Sequence, residues 1–84
     1  MALTTYKVNN IYRNYNVYAT ENIPHNAFLA RNVGNVNVII NQAITLKPGE
    51  FYSYGHNTGE INTGETIIDT NGSGLVQCIY TIYV

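Results

Sequence analysis

Apolar and polar residues alternate with a period of two through most of this sequence, and no stretch of ten or more residues has helical spacing. In residues 75–84, for example, Val76, Cys78, Tyr80 and Ile82 fall on one continuous apolar face. Val, Ile, Thr and Tyr, which suit a pleated surface, supply 34 of the 84 residues. The alternation therefore predicts an all-β fold.

The alternating segments are short and are separated by Gly, Pro and Asn at a spacing of roughly ten residues. This spacing is typical of an antiparallel β-sandwich or a jelly-roll-like small barrel of about seven or eight short strands. A single β-sandwich domain is expected to cover residues 1–84. The predicted strands are residues 4–8, 12–20, 28–33, 36–40, 44–46, 51–54, 66–70 and 75–84.

Several connections carry turn signals. In 47–50, Pro48 at the second position and Gly49 at the third predict a type II turn. Gly34 predicts a hairpin in which it adopts a positive φ, and Asn9-Asn10 predicts a turn between the first two strands. The polar loop 55–65 contains a tandem pentad and is expected to form two successive surface turns.

Charged residues make up only 11% of the chain, where an ordinary soluble domain has about 25%. Asn takes their place, with thirteen residues. Four scattered cations do not supply the basic cluster that binds nucleic acid. No apolar run reaches the roughly 18 residues of a membrane span, and no signal peptide is visible, so neither nucleic acid nor membrane is an expected partner.

The sequence offers no catalytic arrangement of nucleophile, base and orienting group. The candidate bases are His25, which follows Pro24 in a connection, and His56, in the loop 55–65. Cys78 is the single cysteine, so it cannot form an internal disulfide, and on its apolar face we expect an inert core thiol with a raised pKa. We therefore expect a protein that is not an enzyme and carries no cofactor.

Three carboxylates, Glu60, Glu65 and Asp69, could surround a cation together with His56. Calcium sites have denser oxygen ligands, and zinc sites have several His or Cys residues close together. The favoured interpretation is that these carboxylates solvate a loop, and no metal site is predicted.

Charges are segregated along the chain. Residues 1–47 hold four cations and one anion, whereas residues 48–84 hold four anions and no cation. Either this is solvated surface with chance segregation, or the charges form complementary patches that steer head-to-tail or ring contacts between copies.

Eight Tyr residues suit protein interfaces, where Tyr adds contact area at low entropy cost, and they also suit stacking on sugars. We expect an interface formed by the Tyr-rich first strands and the last strand. A sugar-binding platform of Tyr18, Tyr52 and Tyr54 is the alternative. The predicted interface residues are Tyr6, Tyr12, Tyr15, Tyr18, Val76, Tyr80, Ile82, Tyr83 and Val84.

Two segments, 32–41 and 44–52, carry a resemblance to a known group of proteins. A strand ending near Asn32-Val33-Gly34 leads to a Val- and Ile-rich strand, and a Leu46-x-Pro48-Gly49-Glu50 turn then opens an aromatic strand. The pattern resembles small all-β modules in the particle proteins of tailed bacteriophages, such as capsid decoration or head auxiliary proteins. The resemblance implies an architectural role and carries over no catalytic residue.

Together these features predict a structural virion component that decorates or stabilises a phage capsid through protein–protein contacts. Its partners would be a coat protein or other virion subunits, in a homo-oligomer for which a trimer is favoured. Its location would be the virion, assembled in the host cytoplasm. The alternatives are a carbohydrate- or receptor-binding β-sandwich module and a small inhibitor that acts by surface occlusion.

Overall fold

The structure is a computed structural model that describes residues 7–57 and 59–83. Most of the alternating segments of the sequence form β-strands in the structure. The strands are β1 (Val8–Tyr15), β2 (Ala19–Glu21), β3 (Ala27–Asn32), β4 (Val38–Ile40), β5 (Ile44–Leu46), β6 (Phe51–Gly55), β7 (Thr66–Asp69) and β8 (Val76–Tyr83).

The strands form two four-stranded sheets with the orders β1-β8-β3-β6 and β2-β7-β4-β5. All neighbouring strands are antiparallel. Successive strands change sheet at every connection except β4–β5, which gives the strand order of an eight-stranded jelly roll. The predicted all-β antiparallel sandwich is confirmed.

The core lies between the inner faces of the two sheets. β8 pairs with β1 on one side and with β3 on the other, so the segment that is apolar on both faces occupies the centre of its sheet. The fully or nearly fully buried apolar residues are Tyr15, Phe28, Ala30, Val38, Ile40, Leu46, Ile68, Val76, Cys78 and Tyr80.

The N-terminal strand differs from its prediction. Asn9 and Asn10 do not form a turn but lie inside β1, where they face Ile82 and Thr81 across the ladder. The Thr81 hydroxyl donates a hydrogen bond of 2.7 Å to the Asn10 side-chain oxygen. The Asn10 side chain thus has a partner on the neighbouring strand, whereas in a turn it would bond to nearby backbone groups. The predicted strand 12–20 is interrupted after Tyr15, and most of the predicted strand 4–8 lies outside the described residues.

Two tight turns fix the β4–β5 and β5–β6 connections. Asn41 and Gln42 have φ values of 54° and 58°, and they turn β4 directly into β5. In the predicted type II turn, Gly49 has a φ of 85° and the Glu50 N–H donates to the Lys47 carbonyl at 2.9 Å. That prediction is confirmed.

Gly34 is needed for a different reason from the one predicted. Gly34 does not adopt a positive φ. Because β3 and β4 belong to different sheets, the segment between them is not a hairpin. A Cβ at Gly34 would lie 2.8 Å from the backbone nitrogen of Leu75. Gly34 therefore permits the β3–β4 connection to pack closely on the chain just before β8.

Substitutions at Gly34 and Gly49 should separate close packing from backbone conformation. At Gly34, both Gly34→Ala and Gly34→Asn should lower the free energy of unfolding by about 1–3 kcal/mol, because any Cβ meets the Leu75 backbone. At Gly49 no atom lies within 4 Å of a Cβ, so Gly49→Asn should be milder than Gly49→Ala, since Asn tolerates a positive φ. Urea denaturation measures both pairs. A Gly34→Asn variant much more stable than Gly34→Ala would contradict the close-packing explanation.

The buried Asn32 side chain connects the two sheets at the end of β3. Its Nδ2 donates to the carbonyls of Val36 at 2.7 Å and Leu46 at 2.9 Å, and its Oδ1 accepts from the Gly34 N–H at 3.0 Å. The side chain is fully buried, so these backbone groups would otherwise be left without a partner away from water. One amide thus holds the β3–β4 connection against the end of β5.

Asn32→Asp should lower the free energy of unfolding by about 3 kcal/mol or more, because an ionised carboxylate would be buried against two carbonyl oxygens. Asn37→Asp changes an exposed amide in the same connection and should stay within about 0.5 kcal/mol of the parent. Denaturant titration at neutral pH compares the two. Equal effects would show that the Asn32 bonds do not hold the connection.

Candidate functional site

The outer face of the β1-β8-β3-β6 sheet carries three aligned rows of side chains. The register places Tyr12 beside Ile79, Ile79 beside Leu29, and Leu29 beside Ser53 in the middle row. We call this surface the Tyr12 face. It consists of Asn10, Tyr12, Asn14, Ala27, Leu29, Arg31, Phe51, Ser53, Gln77, Ile79 and Thr81.

Tyr12 stands out from the Tyr12 face with 65% of its surface exposed. Ile79 and Leu29, its neighbours in the row, are half-buried and form an apolar floor. The row towards the β8 start contains Asn14, Gln77 and Arg31, and the row towards the β8 end contains Asn10 and Thr81. An exposed aromatic ring is thus flanked on both sides by side chains that donate and accept hydrogen bonds.

Two hollows lie next to each other on this face. One has a volume of about 420 Å³ and is lined by residues that include Tyr12, Asn14, Arg31 and Gln77. The other has a volume of about 340 Å³ and is lined by residues that include Asn10, Tyr12, Ser53 and Thr81. Tyr12 borders both, and volumes in this range are those of small-ligand sites.

Arg31 supplies the charge of the Tyr12 face. It is exposed and lies between Gln77 of β8 and Phe51 of β6. Among the described residues that form this face, none is Asp or Glu. The face therefore mixes uncharged polar and apolar side chains and carries a single positive charge.

A second surface lies at the end of the sandwich where β1 and β3 end and β8 begins. Tyr15, Val76 and Asn32 are aligned there, and the chain continues into exposed connections. Of the large apolar side chains exposed in the described part of the chain, four belong to these connections. We call Val17, Tyr18, Val33 and Leu75 the apolar end.

Close backbone packing assembles the apolar end. The Val33 N–H donates to the Leu75 carbonyl at 3.0 Å, next to the contact that Gly34 makes with Leu75. At Gly74, a Cβ would lie 2.5 Å from the Thr70 carbonyl oxygen and 2.6 Å from a Val38 methyl group. The two glycines thus let the β3–β4 and β7–β8 connections meet and place Val33 beside Leu75.

The opposite end of the sandwich carries several acidic side chains. Glu21, at the end of β2, faces Thr66, and Glu65 directly precedes Thr66 at the start of β7. Glu60 lies in the β6–β7 connection, whose backbone is bonded to the buried amide of Asn26. Three carboxylates therefore lie at this end.

The segregation of charge along the chain does not separate all cations from all anions in space. Lys47 and Glu50 lie in the same turn, and the Lys47 N–H donates to the Glu50 carboxylate at 2.7 Å. The head-to-tail charge hypothesis stays a prediction.

The structure distributes the predicted interface residues over several environments. Tyr12 and Tyr18 are exposed, whereas Ile82 and Tyr83, at the end of β8, are half-buried. The inner-face residues Tyr15, Val76 and Tyr80 belong to the core instead, because their strands turn these positions towards the other sheet. Their side chains cannot contact a partner while the sandwich is folded. The remaining two predicted residues, Tyr6 and Val84, lie outside the described residues.

His25 takes part in a buried pair that sequence reasoning missed. Its Nδ1 lies 2.7 Å from the Ile23 carbonyl and its Nε2 lies 2.5 Å from the Tyr54 hydroxyl. Its ring also lies 5.4 Å from the Tyr80 ring, and the side chain is fully buried. An enclosed imidazole with both nitrogens occupied holds the β2–β3 connection against β6 and offers no open position to a substrate.

The alternative sugar platform of Tyr18, Tyr52 and Tyr54 is not assembled. Tyr52 and Tyr54 are half-buried and pack against the core, and the Tyr54 hydroxyl is bonded to His25. Tyr18 lies at the apolar end, in the β1–β2 connection. The sequence has Tyr residues on both faces of its strands, and only pairing with distant strands determines which of them are buried.

Cys78 is a free, buried thiol, as the sequence predicts. Burial raises its pKa to about 12, which keeps it protonated and unreactive at neutral pH. The described residues hold no group of three or more His, Cys, Asp or Glu side chains that could bind a metal ion. They also contain no helix that is long and apolar enough to span a membrane.

Comparison with protein-family models, with curated proteins and with solved structures found no match. The chain itself offers two surfaces from which a function can be inferred, the apolar end and the Tyr12 face. In the sequence, the polar–aromatic–polar pattern of Asn10, Tyr12 and Asn14 could have indicated such a face, but its neighbours come from strands far along the chain.

The buried pair of Tyr15 and Tyr80 should make the fold sensitive to alkaline pH. Their hydroxyls are 3.0 Å apart, and burial raises the pKa of both above the ordinary value of 10. A group whose pKa is raised in the folded state contributes its full stabilisation below the pKa that it has in the unfolded chain. This contribution is lost as the pH rises through the folded-state pKa. We expect the free energy of unfolding to be constant up to about pH 9 and to fall above about pH 10.

The measurement is urea denaturation across this pH range in a Cys78→Ala background, because the Cys78 thiol would titrate in the same range. The Tyr15→Phe/Tyr80→Phe variant should lose stability less steeply, whereas Tyr12→Phe/Tyr18→Phe, which changes exposed rings, should behave like its parent. An unchanged slope in the buried-pair variant would disprove the assignment.

Proposed function

We propose that this chain is a structural component of a virus particle, of the kind found in tailed bacteriophages, and that it decorates or stabilises the capsid. Its partners are a coat protein or other virion subunits, and it acts as a symmetric homo-oligomer with a trimer as the expected form. The contacts are between proteins, with no chemical reaction.

The apolar end is the observation that carries this proposal. Val17 and Tyr18 expose 65% and 56% of their surface, and Val33 and Leu75, in two other connections at the same end, are also exposed. Neighbouring exposed apolar side chains at one end of a small domain are typical of a protein–protein contact. The close approach of the β3–β4 and β7–β8 connections fixes the positions of Val33 and Leu75, which gives a partner a preformed contact there.

The shortage of charge supports the same role. Burying a charge in an interface costs desolvation energy that the pairing often does not return, whereas amides and hydroxyls exchange water for protein partners more easily. The exposed residues around the apolar end include Asn16 and Asn35. Such a surface can be covered by other protein with few uncompensated charges.

The fold is compatible with this role but does not single it out. Jelly rolls occur in viral capsid proteins and also in lectins and cupins, so strand order alone supports function only by analogy. The resemblance of residues 32–41 and 44–52 to phage particle modules falls on β4, β5, the type II turn and the start of β6. Within these residues, the Asn32 side chain bonds to the Val36 and Leu46 carbonyls, and the next residue, Val33, belongs to the apolar end.

The proposal predicts association that depends on the apolar end. Light scattering of the purified chain should give an oligomer, with a trimer as the expected mass, and sedimentation should show binding to capsids of a phage that encodes the chain. A Tyr18→Glu/Leu75→Glu variant should weaken these associations at least about tenfold, since it places charges in the contact.

Ile61→Glu is the matched control. Ile61 is also exposed, but it lies in the β6–β7 connection at the opposite end of the sandwich, so its substitution should leave association unchanged. A monodisperse monomer at high concentration that binds no capsid would refute the proposal. An equal loss of association in the Ile61→Glu variant would show that the contact does not lie at the apolar end.

A further inference from the structure

We propose that the Tyr12 face binds a carboxylated oligosaccharide, with one sugar ring stacked on Tyr12 and a carboxylate held by Arg31. The Tyr12 face is the outer surface of one sheet, whereas the proposed particle contact lies at the apolar end. The two proposals therefore use different residues and can fail separately.

Tyr12 provides the stacking surface. Its ring is mostly exposed, although it lies on the edge strand β1 next to the half-buried apolar side chain of Ile79. The C–H face of a pyranose ring packs on such an aromatic ring while its hydroxyl groups point sideways. Hydroxyl groups pointing sideways from Tyr12 would meet the two polar rows.

The polar rows supply hydrogen bonds in the directions that a sugar needs. Asn14 and Gln77 are neighbours in one row, and Asn10 and Thr81 are neighbours in the other. Each amide both donates and accepts, as a sugar hydroxyl does. The bond from Thr81 to Asn10 holds the Asn10 amide in place at the open edge of the sheet, which lowers the entropy cost of binding.

Arg31 selects a carboxylate among the possible ligand groups. Arg31 is the charged residue of a face that has no Asp or Glu among its described residues. It lines the same hollow as Tyr12, Asn14 and Gln77. A guanidinium binds a carboxylate through two parallel hydrogen bonds. One cation suits a ligand with spaced carboxylates better than a densely charged polyanion such as nucleic acid.

The backbone separation of the two anchors leaves room for a ligand longer than one sugar. Neighbouring strands lie about 4.8 Å apart and alternate residues about 7 Å apart along a strand. Tyr12 and Arg31 are two strands and one row apart, so their Cα atoms are separated by about 12 Å. An oligosaccharide reaches both within the hollow that they line together, and Tyr12 also borders the second hollow.

The test is a titration followed by amide chemical shifts, with three probes: a hexasaccharide of uronic acids, an oligosaccharide of sialic acid and a neutral glucose hexasaccharide. At least one acidic probe should bind with a dissociation constant of about 1 mM or lower and shift amides of β1, β3 and β8. The neutral probe should bind about tenfold more weakly, because it lacks the bond to Arg31.

Two matched pairs of variants locate the contact. Tyr12→Thr should weaken binding of the acidic probe at least about tenfold, and Tyr18→Thr, which removes an exposed Tyr outside the face, should not. Arg31→Gln should reduce the affinity for the acidic probe to that for the neutral probe. Arg13→Gln, which removes an exposed cation from β1 outside the face, should leave the preference intact.

Three results would overturn the proposal. These are absence of binding by both acidic probes at about 10 mM, shifts confined to the apolar end, and equal effects of Arg31→Gln and Arg13→Gln. Each variant is first shown to be folded by its thermal melting and amide spectrum. Loss of association in the Tyr18→Glu/Leu75→Glu variant with glycan binding retained would show that the two surfaces act independently.

Discussion

Two buried amides at the ends of β3 hold the connections of this small sandwich in place. At one end, Asn32 bonds to backbone groups of the β3–β4 connection and of β5. At the other, the Asn26 side chain donates to the Glu60 carbonyl at 2.5 Å and accepts from the Tyr83 N–H at 2.7 Å. An uncharged amide both donates and accepts, so it pairs buried backbone groups without bringing a charge into the core. Both candidate surfaces depend on the geometry that these bonds maintain.

The low charge and high Asn content of the chain acquire an internal explanation from these bonds. Asn41 and Asn62 also make side-chain bonds to backbone N–H groups, those of Ile67 and Gly64. A domain of this size has a small core, so connections stapled by amides add stability that the apolar residues alone supply only in part. The composition therefore reflects how the connections are held as well as how the outer surface meets other molecules.

The jelly-roll order separates the two candidate surfaces in space. Four connections meet at one end, where close packing at Gly34 and Gly74 exposes Val33 and Leu75 side by side. The Tyr12 face instead results from strand pairing, since its rows join β1, β8, β3 and β6. One surface is apolar and suits a protein partner, and the other mixes polar and apolar side chains, with Tyr12 on its edge strand. A particle subunit that attaches through its end would leave the sheet face open for a further ligand.

The sequence by itself determined the strands from β3 to β8, the type II turn at Gly49 and the inert thiol of Cys78, because alternation, turn chemistry and burial on an apolar strand are local properties. It could not determine which residues share a surface. Tyr15 and Tyr80, predicted at an interface, meet in the core across 65 residues of chain, and Tyr12 joins Leu29 only through β8. The role of Gly34 likewise depends on Leu75, a distant neighbour. Tertiary structure decided these points because period-two alternation gives each strand two faces, and only pairing with distant strands selects the one that is buried.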